Sequence, residues 1–253
     1  MEMGDAATTL MGKPNRRYPP RTFDEGSNMP PDYREAVIRL IVETGELGST
    51  EWHRQAMRRI AGWIELAPAL ADRVRMAEFY ADEMRHGFIF ENLLLSMGES
   101  LDRSDGSSIE GLNLLDELNS WEQVAVFMTL MDRAASFQFG DYRNSSYAPL
   151  ASIAPSMTLD EQGHATTGLL HLKTVVKTAE GRRAAQQALE RWWHVALDMF
   201  GTSTGRRQFR YIEWGLRDQT NDELRQVYLN HTRPLLEDLG LEVPDDLAHR
   251  RFV

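Results

Sequence analysis

From Tyr33 onward, apolar side chains recur every three or four residues, the spacing of a helix with one buried face. Alternating strand patterns and Asn-Gly hairpin signals are absent from the sequence. Glycine, proline and capping residues divide the pattern into predicted helices at about 68–97, 121–139, 159–176, 181–200 and 221–239. An earlier helix begins near Tyr33, is weakened at Gly45 and Gly48, and resumes from Glu51 to about Ile60. The sequence therefore predicts an all-α chain.

The N-terminal segment differs from the rest of the chain. Five prolines lie within its first thirty-one residues, and they disfavour regular helix there. We therefore expect an extended arm over residues 1–32 and a single helical domain over residues 33–253. A chain of 253 residues with 42% hydrophobic and 26% charged side chains can bury one large core.

Composition excludes several classes of function. The formal charge of −10 argues against nucleic-acid binding, and no apolar run reaches the roughly 18 residues that a membrane span needs. The first residues lack the basic-then-apolar layout of a signal peptide, so a cytoplasmic location is expected. Because the chain has no cysteine, any metal must bind to Asp, Glu and His.

Two motifs of one kind carry the predicted chemistry. Glu83 and His86 are separated by two residues, and so are Glu161 and His164. At this spacing both side chains project from one face of a helix, so both can reach one ion. Two such helices facing each other, with carboxylates from two further helices, form the ligand set of ferritin-like di-iron proteins. Oxygen donors with one imidazole per metal suit iron or manganese.

A plainer alternative is that both motifs form surface salt bridges. Apolar neighbours favour an inward orientation of the first motif: Phe79, Tyr80, Phe88 and Leu93. Asp132 closes an apolar run and is either a buried ligand or a partner of Arg133, and we favour the ligand. The first helix offers four competing candidates: Glu43, Glu46, Glu51 and His53.

The sequence resembles the catalytic subunits of bacterial phenylacetyl-CoA epoxidases, a family of di-iron monooxygenases. The similarity covers most of the chain after the arm and includes both Glu-x-x-His motifs and Asp132. Further matching positions are Met29-Pro30, Tyr33-Arg34, Ile38-Arg39, Gly62-Trp63-Ile64, Ala67-Pro68, Trp121, Arg191-Trp192-Trp193, Met199-Phe200-Gly201, Thr220 to Gln226, Leu239-Gly240 and Val243-Pro244-Asp245.

The resemblance implies a ferritin-like four-helix bundle with additional C-terminal helices. It also implies two iron ions per chain, held by Glu83, His86, Asp132, Glu161 and His164. Members of the family use O2 to insert one oxygen atom into aryl-acyl-CoA substrates. They receive electrons from a separate reductase and pair with a homologous metal-free subunit, so a homologous subunit or a homo-oligomer is expected here.

The chain departs from the family pattern in three places. An insertion lies between Tyr33 and Ala67, and Glu51 is our choice for the sixth ligand because it divides the insertion most evenly. His53 and Glu46 remain alternatives. Pro155 either starts or kinks the fourth bundle helix, and the chain stops at Val253, before the family's longer tail.

These departures leave two other functions open. One is a di-iron oxygenase or oxidase that acts on a free small molecule, and the other is a metal-free scaffold subunit. A ferritin-like iron store is disfavoured, because the matching motifs belong to the oxygenases. His171 is interpreted as a packing residue or a neighbour of the ligands. Apolar residues at helical spacing, Trp192, Trp193 and Phe200, are interpreted as core or subunit contacts, and Met128, Met131 and Met199 as core filling.

Overall fold

A computed structural model describes residues 13–44, 50–99 and 113–252, without the side chains of residues 50–53. Its main helices are α1 Pro31–Thr44, α2 Thr50–Leu66, α3 Leu70–Ser96, α4 Trp121–Phe127, α5 Arg133–Asp141, α6 Ala148–Val175, α7 Ala179–Asp198, α8 Arg206–Trp214 and α9 Asn221–Glu237. A π-helical segment, Met128–Asp132, joins α4 to α5. Apart from one bridge between Phe23 and Tyr147, the described ranges form no strand. The all-α prediction is confirmed.

Four rods form the bundle: α2, α3, the continuous α4–π–α5 rod, and α6. Helix α2 packs against α3, α3 against α6, and α6 against the whole α4–π–α5 rod. Helix α7 covers α4, and α9 contacts α5, so the C-terminal helices cover one side of the bundle. This is the predicted ferritin-like arrangement with additional C-terminal helices. None of the helices in the described ranges combines the length and apolar character that a membrane crossing requires.

Side-chain caps begin two of the helices where the sequence indicated. The Ser120 hydroxyl accepts a hydrogen bond from the backbone amide of Gln123, and the side-chain oxygen of Gln123 accepts one from the backbone amide of Ser120. Thr220 and Glu223 form the same reciprocal capping box at the start of α9. Such caps satisfy amides that have no partner inside the helix, which fixes the helix start.

Pro155 lies inside α6. The helix begins at Ala148, seven residues before the proline, so the sequence-based start near Leu159 was wrong. Proline has no amide hydrogen, so the helix lacks one backbone hydrogen bond here. Packing along the bundle keeps the helix continuous. Pro155 is exposed and does not line the cavity beside the two Glu-x-x-His motifs.

Helix α8 was not predicted. Gly215 ends it with φ of 75°, and a Cβ at this position would lie 2.3 Å from the Tyr18 carbonyl oxygen. The described part of the N-terminal arm is anchored here, because the Arg16 guanidinium donates to the carbonyls of Tyr18 and Gly215. The Tyr18 ring also stacks on Trp214, with centroids 5.6 Å apart.

The apolar core of the described residues divides into two main clusters. Trp192, Trp193 and Phe200 are buried in the larger cluster, which confirms the core interpretation of these residues. Met128 is buried in the same cluster, and Met131 and Met199 pack against it. The two Glu-x-x-His motifs therefore lie within a well-packed bundle.

Candidate metal centre

The two Glu-x-x-His motifs meet across the contact between α3 and α6. His86 of α3 lies beside Asp160, and His164 of α6 lies beside Asp82, so the two helices run antiparallel. His86 Nδ1 lies 3.4 Å from a Glu161 oxygen, and His164 Nδ1 lies 3.5 Å from a Glu83 oxygen. The two motifs thus face each other, as the sequence predicted, and surface salt-bridging does not describe them.

The geometry of these side chains suits a metal ion. Glu83, Glu161 and His164 each offer one ligand atom, and these atoms lie within 4.8 Å of one another. Glu161 and His164 are buried, and His164 Nδ1 makes no hydrogen bond although it faces carboxylates. A buried imidazole nitrogen of this kind is suited to be a metal ligand, because burying it without a partner costs free energy. The donor set therefore fits iron or manganese.

Two aspartates hold the histidines from behind. Asp82 Oδ2 lies 3.2 Å from His164 Nε2, and Asp160 Oδ2 lies 3.2 Å from His86 Nε2. Each aspartate directly precedes the glutamate of its own motif and contacts the histidine of the other. A carboxylate on the outer nitrogen fixes the ring and directs Nδ1 toward the centre. Sequence reasoning gave these residues no role, although the repeated Asp-Glu-x-x-His pattern was a usable signal.

The protonation of the centre follows from these contacts. Burial opposes a charge on His86, but hydrogen bonding to Glu161 and the charge of Glu83 outweigh it and raise the pKa of His86 to about 9. Burial likewise opposes a charge on His164, and Glu161 raises its pKa. Burial would raise the pKa of Glu161, yet the two histidines lower it. These contacts therefore favour a proton on each imidazole when no metal is bound, and a bound cation would compete with those protons.

The π-helical segment presents the next carboxylate. Asp132 is its last residue, is buried, and lines the same cavity as Glu83 and Glu161. π-helical turns inside α-helices frequently lie at functional sites, because the extra residue redirects a side chain. The neighbouring Arg133 guanidinium donates to the backbone carbonyls of Thr129 and Ala165.

Three of the four candidates for the sixth ligand lie outside the described side chains. Glu51 and His53 belong to the α2 backbone, but their side chains are among those not described, and Glu46 lies in an undescribed range. Glu43, the fourth candidate, accepts a hydrogen bond of 2.9 Å from Tyr211 and forms an ion pair with Arg207. Glu43 is thus held by α8, at the edge of the cavity.

A cavity of about 830 Å³ adjoins the motifs. Its inner wall carries Glu83, His86, Asp132 and Glu161, and its sides are mostly apolar, with Met57, Ile60, Phe79, Phe90, Phe127 and Phe139 among them. Four residues of α8 that sequence reasoning did not identify also line it: Arg206, Arg207, Gln208 and Tyr211. The lining of the cavity therefore combines the carboxylates of the motifs, apolar side chains and arginines.

His171 is a packing residue. It is buried two helical turns beyond His164, with its ring 4.6 Å from the Trp121 ring and its Nδ1 3.7 Å from Asp72. Burial lowers its pKa. Phe88, one of the apolar neighbours that favoured an inward orientation of the first motif, itself points outward and is 62% exposed.

Comparison with known proteins identifies the family of this chain. The family model described as phenylacetic acid catabolic protein matches residues 11–251. The chain is 30% identical to a subunit of the 1,2-phenylacetyl-CoA epoxidase of Escherichia coli (strain K12), over 233 residues that cover 87% of this chain and 72% of the relative. On these matches, and with both Glu-x-x-His motifs meeting in one bundle, the chain belongs to the phenylacetic acid catabolic protein family.

Proposed function

We propose that this chain is the catalytic subunit of a di-iron monooxygenase that transfers one oxygen atom from O2 to an aromatic or unsaturated acyl-CoA ester. The observation that carries the proposal is the antiparallel pair of Asp-Glu-x-x-His motifs at the inner end of an apolar cavity. The relative's name, an epoxidase acting on phenylacetyl-CoA, supports the reaction class and the substrate class.

The protein's own residues would do three things in this reaction. Glu83, His86, Asp132, Glu161 and His164 would hold the metal ions. Asp82 and Asp160 keep both imidazole rings oriented, through their 3.2 Å contacts to the outer nitrogens. The aromatic walls of the cavity keep water from the reacting carbon. Two bound iron ions supply the redox chemistry of dioxygen activation, which amino-acid side chains do not provide.

The arginines that line the cavity support a CoA ester over a free acid. Arg206 and Arg207 are exposed at the start of α8, and both line the cavity that begins at the metal-binding motifs. Guanidinium groups bind phosphates well, because their planar donors match the oxygens of the anion. An acyl group beside the carboxylates would leave its CoA phosphates near these arginines.

Glu51 is our proposal for the sixth ligand, with His53 and Glu46 as the alternatives. The test is the iron content of Glu51→Ala, His53→Ala and Glu46→Ala after identical loading. We expect Glu51→Ala to lose iron while the other two retain it. Loss in His53→Ala or Glu46→Ala instead would move the assignment to that residue.

A single-turnover experiment tests the reaction. Iron-loaded protein is reduced with dithionite, mixed with phenylacetyl-CoA, and exposed to ¹⁸O2. The balance is substrate, O2, two electrons and two protons in, and oxygenated ester and water out, so the product should gain one ¹⁸O atom. If the ester gains no ¹⁸O but free phenylacetate does, the alternative of a free small-molecule substrate is favoured. No iron binding at all would favour the metal-free scaffold.

A further inference from the structure

A cation is buried beside the candidate metal centre. Arg133 is the first residue of α5, directly follows Asp132, and is only 8% exposed. Its Nε donates a hydrogen bond of 3.2 Å to the Thr129 carbonyl, and one terminal nitrogen donates one of 3.3 Å to the Ala165 carbonyl. Buried charges in proteins are usually paired with an opposite charge. Here the guanidinium bonds to backbone carbonyls instead.

The other buried arginine among the described residues differs in this respect. Arg225 forms an ion pair with Asp222 in the same turn of α9. For Arg133, burial lowers the pKa of the guanidinium, and the only described carboxylate whose charge opposes this is Asp132. The carboxylate that acts on Arg133 is therefore itself a candidate metal ligand.

The guanidinium of Arg133 joins two elements that carry candidate ligands. Thr129 belongs to the π-helical segment that ends in Asp132. Ala165 directly follows His164 on α6. The positive charge therefore lies between the segment that ends in Asp132 and the helical turn that carries His164. Because it is buried there, solvent and salt screen it little.

We propose that Arg133 is a positioning residue that sets the charge environment of the metal centre: its guanidinium weakens the binding of cations there and favours the reduced state of bound iron. This inference rests on the proposed di-iron centre. A guanidinium keeps its charge at neutral pH. It repels other cations, and the repulsion is strong in a buried site of low dielectric constant. Oxidation increases the positive charge of bound iron, so a nearby cation opposes oxidation and raises the reduction potential.

The charge and the hydrogen bonds of Arg133 predict opposite effects on iron binding. If the bonds to Thr129 and Ala165 were its only contribution, their loss would loosen the contact between the π-helical segment and α6 and weaken iron binding. If the charge dominates, a neutral residue in its place strengthens iron binding although those bonds are lost. The sign of the change in iron affinity therefore separates the two roles.

Chelator competition for ferrous iron, under anaerobic conditions, measures this sign. Arg133→Met and Arg133→Gln remove the charge, and Arg133→Lys retains it. The control is Arg225→Met, which removes the buried arginine that pairs with Asp222 on α9. Both neutral variants should bind iron roughly tenfold more tightly, or more than that. Arg133→Lys and Arg225→Met should match the wild type.

A redox titration of the iron-loaded proteins gives a second readout, which loss of two hydrogen bonds alone would not move in this direction. Reduction potentials should fall in both neutral variants of Arg133 and stay at the wild-type value in Arg133→Lys. Iron affinity and reduction potential are both measured without substrate turnover.

Circular dichroism establishes that each variant is folded. Folded neutral variants whose iron affinity is unchanged or weaker overturn the proposal, and so does equally tight binding in Arg133→Lys. Neutral variants that do not fold overturn it too, because the guanidinium then serves the fold. A wild type that binds no iron contradicts the proposed function together with this inference, whereas the other outcomes leave the ¹⁸O2 experiment valid.

Discussion

Substitution of Gly168 by alanine tests how the bundle positions Asp132. Gly168 of α6 packs directly on the π-helical segment, and a Cβ there would lie 2.6 Å from Met128 Cβ and 2.7 Å from the Thr129 nitrogen. Carbon atoms in good contact are about 3.5–4.0 Å apart, so the two elements would have to separate by roughly 1 Å. Because most of the opposing atoms are backbone, no side-chain rotation relieves the clash.

The expected cost combines two opposing terms. Overpacking of a well-packed core costs about 1–3 kcal/mol. Alanine in place of glycine favours a helix by about 1 kcal/mol. Since the clash is with backbone, the upper end of the first term applies, and Gly168→Ala should lose about 1–2 kcal/mol of unfolding free energy. For a chain of this size that corresponds to a fall in Tm of roughly 2–8 °C.

Urea and thermal unfolding of the metal-free protein measure this loss, and iron content measures the displacement of Asp132. The control is Gly62→Ala on α2, where nothing lies within 4 Å of an added Cβ. Gly62→Ala should gain up to about 1 kcal/mol and keep its iron. If Gly168→Ala is as stable as Gly62→Ala and retains full iron, the close contact between α6 and the π-helical segment does not position Asp132.

Three further predictions follow from individual contacts. Asp82→Asn should weaken iron binding by about 10- to 100-fold, measured by chelator competition, because His164 loses the carboxylate on its outer nitrogen; unchanged affinity would contradict this role. Burial lowers the pKa of His171 below its usual 6.5, so the unfolded state takes up a proton first as pH falls. The stability that the neutral, buried His171 contributes should therefore be fully present above pH 6.5 and be lost as pH falls below it. His171→Phe should reduce this loss of unfolding free energy, measured by urea titrations at pH 7.5 and 5.5. Arg206→Ala should raise KM for an aryl-acyl-CoA ester by about tenfold and leave iron content unchanged, whereas equal effects on a free aryl acid would contradict phosphate binding.

The bundle and its two motifs could be predicted because their signals are local. The spacing of Glu83 and His86 is fixed by the helix itself, and so is the spacing of Glu161 and His164. Long amphipathic segments likewise predict helices without reference to the rest of the chain. The helix start at Ala148 was missed because Pro155 is normally a stop signal, and packing along the bundle overrides it here.

The remaining features depend on contacts between distant segments. The repeated Asp-Glu-x-x-His pattern draws attention to Asp82, but its pairing with His164 requires the antiparallel register of α3 and α6. Helix α8 is short and charged, and it is held by the N-terminal arm through Arg16 and Tyr18. The convergence of its arginines on the cavity therefore appears only in the folded chain. The outward position of Phe88 was missed because α3 is apolar on both faces.

The most direct test of the account is the metal content of protein produced with excess iron, measured by inductively coupled plasma mass spectrometry. Glu161→Ala and His164→Ala are compared with His171→Phe, which changes a buried histidine outside the centre. We predict about two iron atoms per chain in the wild type and in His171→Phe, and a large loss in both ligand variants. A wild type without iron would contradict a di-iron centre at these motifs. Full iron content in both ligand variants would contradict it as well.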